Sequence, residues 1–263
     1  MTPVTDPEAL GELILRRLYR RRRRRRRARM AALSLLGLSN WAANTWVPDR
    51  AYVPWNLSVA AGLVVLARRV GIRDPQMGLG RAGLADGVRD GAAVSALVAL
   101  GYGGLLRSRL GRTAFADERA TALSTSWAAY QGLVRIPLGT VVAEEIVFRG
   151  VLPALLDGPR WSPWQTESLT AVLFGLWHVL PSRQLHLQND AMREVVGGTG
   201  ATGAIVAAVV STAAAHVVLD RLRRRSGHLV APILVHLAVN GLGFAGARLV
   251  GRQATAPEVG RRL

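Results

Sequence analysis

AEEIVFRG, Ala143 to Gly150, places two adjacent glutamates and an arginine inside a run that otherwise reads as a membrane helix. The apolar LVRIPLGTVV leads into it and VLPALL follows. A charged side chain at bilayer depth costs about 2.5–3.5 kcal/mol on insertion scales, so a bare Glu144 and Glu145 would together cost about 5–7 kcal/mol. Partners or water have to offset that. Arg149 lies four residues after Glu145, the helical spacing at which a Glu-before-Arg pair is best placed. Successive helix residues point about 100° apart, so Glu144 faces elsewhere and needs a partner of its own.

Working outward, half of the 263 residues are hydrophobic and they fall in long blocks, the pattern of a polytopic membrane protein. The net charge of +17 invites a nucleic-acid reading, and its distribution decides against one. Within Met1–Met30 eleven arginines stand against three acids, a net of +8, which leaves +9 for the remainder. Much of that remainder sits at the ends of apolar blocks: Arg68, Arg69, Arg73, Arg107, Arg109, Arg112 and Arg221 to Arg225. Cationic loops flanking apolar spans are what the positive-inside bias produces. The chain has no lysine, so no P-loop lysine and no Schiff base, and no cysteine, so no thiolate ligand, thiol nucleophile or disulfide.

The apolar blocks run over about Met30–Val47, Leu57–Val70, Gly91–Leu106, Leu133–Leu156, Ser168–Leu180, Gly197–Leu219 and His228–Val250. They predict an all-α, polytopic transmembrane helical bundle of about seven spans, within a range of six to eight. The expected organisation is an Arg-rich cytoplasmic segment over 1–30, N-terminal spans and loops over 31–120, a core over 121–250, and a polar, disordered tail over 251–263. Arg20 to Arg27 form an unbroken run that acts as a topology signal and suits anionic lipid headgroups, each arginine contributing about 1 kcal/mol near such a surface. Alternation from a cytoplasmic N-terminus puts Arg68–Arg73 and Arg221–Arg225 inside, and Arg107–Arg112 outside, against the bias.

Three polar sites interrupt the apolar blocks: Glu144, Glu145 and Arg149; His178; and His236 with Asn240. His236 and Asn240 are four apart and share a helix face. Intramembrane ionisable groups face the bundle interior or a water-filled cavity, where they meet one another. A carboxylate, two imidazoles and a carboxamide in one pocket suffice to hydrolyse an amide: Glu and His take a proton from water, and N–H groups stabilise an oxyanion. Each part also has a plainer role. Glu145–Arg149 alone locks a helix, His178 beside Trp177 serves as a buried structural histidine, and Asn240 serves as interhelical glue. The coincidence of all three in separate spans favours chemistry. GTGATG, Gly198 to Gly203, has the dinucleotide spelling without a preceding strand, so it reads as small-residue helix packing and implies no nucleotide. His186 reads as exposed, His216 and His228 as lying near block ends, with His216 retained as a pocket neighbour. H-E-x-x-H and G-x-S-x-G are both absent.

At these three sites the chain resembles the CPBP family, the CAAX prenyl endopeptidases and bacteriocin-processing proteins, also called ABI-type intramembrane proteases. EEIVFR (Glu144 to Arg149) is similar to its E-E-x-x-x-R motif, FGLWH (Phe174 to His178) to F-x-x-x-H, and HLAVN (His236 to Asn240) to H-x-x-x-N/D. Order and spacing agree over roughly residues 120–245. The resemblance implies an all-helical membrane protease in which Glu144 and His178 activate water, His236 and Asn240 form the oxyanion hole, and Glu145 and Arg149 support them. It leaves the metal question open: Glu144, His178 and His236 can supply three ligands to zinc with an open fourth position, or Glu144 can act without metal. The prenylated substrate of eukaryotic members is not carried over, because this Arg-rich, lysine-free chain looks bacterial.

The leading expectation is therefore an intramembrane endopeptidase cutting a peptide or membrane-protein substrate in the cell membrane, with membrane lipid as its other partner and no nucleic acid. The alternative is a non-catalytic membrane scaffold or bacteriocin-immunity-type protein that keeps the pocket for binding. A transporter with proton-relay carboxylates is disfavoured by the lack of an inverted repeat.

Overall fold

A helix that is apolar on one side can face lipid, whereas one that is buried on all sides has to be central. In the computed structural model, which describes residues 7–158 and 161–255, that central element is the second half of a continuous helical rod over 125–156, whose first half is partly exposed. From Val141 to Leu156 nearly every side chain is buried, including Val147, Phe148, Val151, Leu152 and Leu155. The rod winds as α-helix over Thr125–Tyr130, as π-helix over Gln131–Val142 and Ile146–Val151, and as α-helix again over Ala143–Glu145 and Leu152–Leu156. Wider π turns recur at functional sites, and here they flank the two glutamates. No strand occurs among the described residues, so the all-α membrane-type fold stands.

The other helices assemble around this rod through small residues. The first helix, Pro7–Thr45, buries a stripe of Ala28, Ala32, Leu36, Ser39 and Ala42, at the three- and four-residue spacing of one helix face. The second, Asp49–Arg69, answers with Val53, Asn56, Ala60, Leu63 and Ala67. Helix Leu84–Arg107 meets the last helix, Val230–Thr255, at Gly87 and Gly91. A Cβ on Gly87 would stand 2.6 Å from Val230 Cγ1, and one on Gly91 would stand 2.9 Å from the Ala231 carbonyl oxygen. In lipid, where apolar burial drives little helix association, such close backbone approach supplies the packing. The short helix Pro163–Trp177, opened by a Ser162/Gln165 capping box, crosses the penultimate helix, Gly200–Ser226, at Gly175.

Among the described residues three helices, Asp49–Arg69, Gly197–Ser226 and Val230–Gln253, are long and apolar enough to cross a membrane. The remaining expected spans are helical, but shorter or more polar, so the number of about seven goes beyond these three. Several boundaries differ from the hydropathy blocks. GELILRRLY and the arginine run join the first apolar block in one helix of 39 residues, because nothing in that stretch breaks a helix. Helix Pro163–Trp177 starts five residues before its block and ends before His178, ahead of Pro181. The last helix continues through Thr255, so residues 251–255 of the expected tail are ordered helix, and 256–263 lie outside the described residues. Residues 1–6 of the Arg-rich segment also lie outside them.

Hydrogen bonds gather the arginines at one end of the bundle. Arg68 pairs with Asp74 at 2.8 Å, holding that carboxyl below its usual range. Arg225 pairs with Asp90 at 3.2 Å, Arg221 with Glu167 at 3.1 Å, and Arg223 donates to the Gln76 carbonyl. Arg29 donates to the carbonyls of Leu155, Leu156 and Asp157 at 2.6, 3.2 and 3.2 Å, capping the C-terminal end of the central rod. Those carbonyls are among the four that a helix end leaves without partners. Replacing Arg29 with Ala is therefore expected to destabilise the protein by about 1.5–3 kcal/mol, the range for hydrogen bonds to a charged group. The exposed Arg22→Ala should stay within about 0.5 kcal/mol of wild type. Thermal unfolding of both variants in the same detergent checks the difference.

Candidate active site

Two consecutive carboxylates on the central rod leave it in different directions and acquire different partners. Glu145 and Arg149 are both fully buried, and Arg149 Nη1 donates to Glu145 Oε1 at 3.0 Å. The expected four-residue pair is therefore present. The same Oε1 also lies 2.6 Å from His236 Nδ1 on the last helix. A carboxylate oxygen accepts, so the proton of this contact sits on Nδ1. The other face of the ring, Nε2, then looks toward Asn240 Nδ2 at 3.2 Å and Glu144 Oε2 at 4.0 Å.

Glu144 is 6% exposed. Its Oε1 accepts from the Trp177 indole N–H at 2.9 Å, while its Oε2 is buried and has no hydrogen-bond partner. Glu145 Oε2 is buried and open as well, and of the two it is the Glu144 oxygen that approaches His236 Nε2. Buried carboxylate oxygens left open are rare in proteins and call for a functional reading. His178, the residue that ends the short helix, donates through Nδ1 to the Phe174 carbonyl at 2.8 Å. That bond leaves its Nε2 with a free lone pair, the form a proton acceptor requires. His178 forms no hydrogen bond to Glu144 or His236. It joins the group through the Phe174 ring, 4.7 Å from its own ring centre.

Phe174 is the hub of the cluster. The Arg149 guanidinium carbon lies 4.0 Å over its ring, and the rings of His216 and His236 lie 5.6 and 6.4 Å away. A cation over a desolvated aromatic face gains about 2 kcal/mol, which helps to hold a guanidinium that water cannot reach. The structure thus brings Glu144, Glu145, Arg149, His236 and Asn240 together, with His178 at the rim.

His216 is fully buried and bonds Thr170 Oγ1 at 2.9 Å, so it is a neighbour of the site. His228 caps the last helix, its Nδ1 accepting from Val230 N–H at 2.9 Å. His186, read as exposed, is half-buried, with Nδ1 shielded from solvent. Sequence reasoning missed the bond from Trp177 to Glu144. The available signal was a Trp in mid-block rather than at a belt, because a buried indole N–H needs an acceptor. The Asn40 side chain of the first helix also donates to the Trp177 carbonyl, at 3.1 Å.

A metal ion fits this arrangement poorly. Among the described residues no three His, Asp or Glu side chains stand together as a metal cage. His236 Nε2, needed as a ligand in a set of Glu144, His178 and His236, is engaged by the Asn240 amide.

Residues 126–242 match the family model of the Rce1-like proteins, described as type II CAAX prenyl endopeptidase Rce1-like. All six charged and polar residues of the cluster fall inside that match. Comparison with curated proteins and with solved structures gives no match.

Removing one partner of a fully buried ion pair leaves an uncompensated charge, at a cost of about 3–5 kcal/mol. Arg149→Met is expected to destabilise by that amount, and Arg149→Met with Glu145→Gln by less than the single change. Chemical unfolding of the three proteins in lipid bicelles reads the order directly.

Proposed function

We propose that this chain, whose segment 126–242 belongs to the Rce1-like branch of the CPBP intramembrane proteases, is an endopeptidase that hydrolyses a peptide bond of a membrane-associated peptide or protein. The observation that carries this reading is Glu144 Oε2: a buried, unbonded carboxylate oxygen 4.0 Å from His236 Nε2, between groups that can donate to an oxyanion.

The chemistry follows from the protonation states that the hydrogen bonds dictate. Glu144, held at Oε1 by Trp177, takes a proton from water at Oε2, and the oxygen of that water attacks the scissile carbonyl carbon. His178, whose Nδ1 donates to the Phe174 carbonyl, has Nε2 free to serve as a second acceptor. The carbonyl oxygen gathers negative charge between Asn240 Nδ2–H and His236 Nε2–H, two nitrogens 3.2 Å apart. In the resting site Nε2 accepts from the Asn240 amide; once His236 takes a second proton, Nε2–H and the released amide N–H can both donate to the oxyanion. Glu144 then returns its proton to the departing amine, and the C–N bond breaks. Arg149 holds Glu145 in place and touches no reacting atom. No step is routed through a metal.

The same reading makes the chain a multi-pass protein of the cell membrane with about seven spans. The gathering of Arg29, Arg68 and Arg221–Arg225 at one end supports a cytoplasmic location for that end and for the N-terminus. The substrate is taken as a peptide or membrane protein without a required prenyl group.

Purified protein in vesicles, incubated with membrane peptides from matched cells with and without the gene product, should yield cleavage fragments only with active protein. Glu144→Gln is expected to lose about 10²–10⁴ in turnover, the contribution of a general base. Asn240→Ala should lose about 10²–10³ in kcat, as for a single oxyanion donor. Both should remain folded and inserted. A Glu144→Gln variant that keeps the cellular phenotype favours the scaffold alternative instead. Turnover should survive prolonged chelation, with no stoichiometric zinc found by elemental analysis. Loss on chelation, restored by zinc, overturns the metal-free route.

A further inference from the structure

His216 lies outside the three motifs, is buried without exposure, and takes no part in the mechanism above. Its hydrogen bonds fix its tautomer. Thr170 Oγ1 donates its one proton to the carbonyls of Thr166 and Glu167, at 2.9 and 3.0 Å. It can then only accept from His216 Nε2, 2.9 Å away, so Nε2 carries the ring proton. His216 Nδ1 is left as a bare lone pair, buried and without a partner. Arg149, packed on the same Phe174 ring, has the opposite surplus: Nη1 donates to Glu145, while Nε and Nη2 are buried donors without partners. Both groups stand against the same phenyl, at 5.6 and 4.0 Å from its centre. An orphan acceptor and two orphan donors gathered on one buried ring are groups that a bridging water can satisfy.

We propose that His216 is a positioning residue of the active site, its Nδ1 accepting from Arg149 through one buried water and completing the chain His216–Arg149–Glu145–His236. The proposal rests on the endopeptidase reading for its kinetic consequence and on hydrogen-bond complementarity alone for its structural one. Arg149 is then held from both sides, by Glu145 in front and by the histidine behind. Asp220, one helical turn beyond His216 and buried against Arg224 at 2.6 Å, closes the far end of this polar row. Through Arg149 and Glu145 the row sets the orientation of the His236 ring, and with it the direction of the Nε2–H that meets the oxyanion. Outer hydrogen-bond partners of this kind typically change activity by about 10–100-fold.

The test compares His216→Phe, which keeps the ring and removes both nitrogens, with His216→Asn, whose carboxamide oxygen takes the place of Nδ1. Full-length protein in vesicles should show kcat lower by about 10–100-fold in His216→Phe with KM unchanged. His216→Asn should recover most of that loss. In parallel, ¹⁵N-histidine spectra should show the His236 ring resonances displaced in His216→Phe and returned toward wild type in His216→Asn. Unchanged kcat in His216→Phe, or an Asn variant no better than Phe in both readouts, overturns the proposal. Should His216→Phe fail to fold, His216→Leu and His216→Asn are compared by the same criteria. If wild-type protein shows no turnover at all, the endopeptidase reading falls, and the His236 resonances still decide the positioning role.

Discussion

The structure depends on balancing charge where water is scarce. Two carboxylates on adjacent residues cannot both ionise in a low-dielectric interior without opposite charge within a few ångströms. The chain supplies it with one arginine on the same helix, four residues on, and one histidine from another helix, both converging on a single oxygen of Glu145. That convergence does more than neutralise. Each glutamate keeps one bonded oxygen and one buried, open Oε2. The bonded oxygen of Glu145 is taken by Arg149 and His236, whereas that of Glu144 is anchored by an indole and its Oε2 lies 4.0 Å from His236 Nε2. A site with a single glutamate would have to choose between structural pairing and chemistry, whereas the doubled glutamate separates the two tasks.

This requirement reaches far into the architecture. The rod is buried all round over 141–156, where neither glutamate can be turned toward lipid, and every helix bordering the pocket has to come close enough to deliver a partner. The small-residue contacts at Gly87, Gly91 and Gly175 allow that approach. Phe174 then serves as a common wall, with a guanidinium over its face and three imidazoles around it. The ring gives these cations and dipoles a neutral surface to pack against without competing for their hydrogen bonds.

The sequence showed the parts of this arrangement that depend on spacing. Glu145 with Arg149, and His236 with Asn240, are four-residue relationships on one helix, and both survive in three dimensions. The all-helical class and the existence of each apolar block were legible for the same reason. Relationships between helices were not. Nothing in the order of residues says that His236 rests on Glu145 through Nδ1, that Trp177 rather than a histidine touches Glu144, or that Arg29 reaches across more than a hundred residues to the end of the rod. Helix ends were also hard to read. His178 sits in an apolar block by hydropathy, yet it terminates its helix, because Pro181 lies three residues ahead and the backbone has to leave the helix before it.

The shortness of that helix has a consequence for the surrounding lipid. Fifteen residues at the α-helical rise give about 22 Å, against a hydrocarbon layer of about 30 Å. Among the described residues this helix is not one of the three long and apolar enough to cross a membrane. Placed across a bilayer, a helix of this length would be met by thinner lipid or by flanking residues snorkelling toward the headgroups, each at a fraction of a kcal/mol per Å of mismatch.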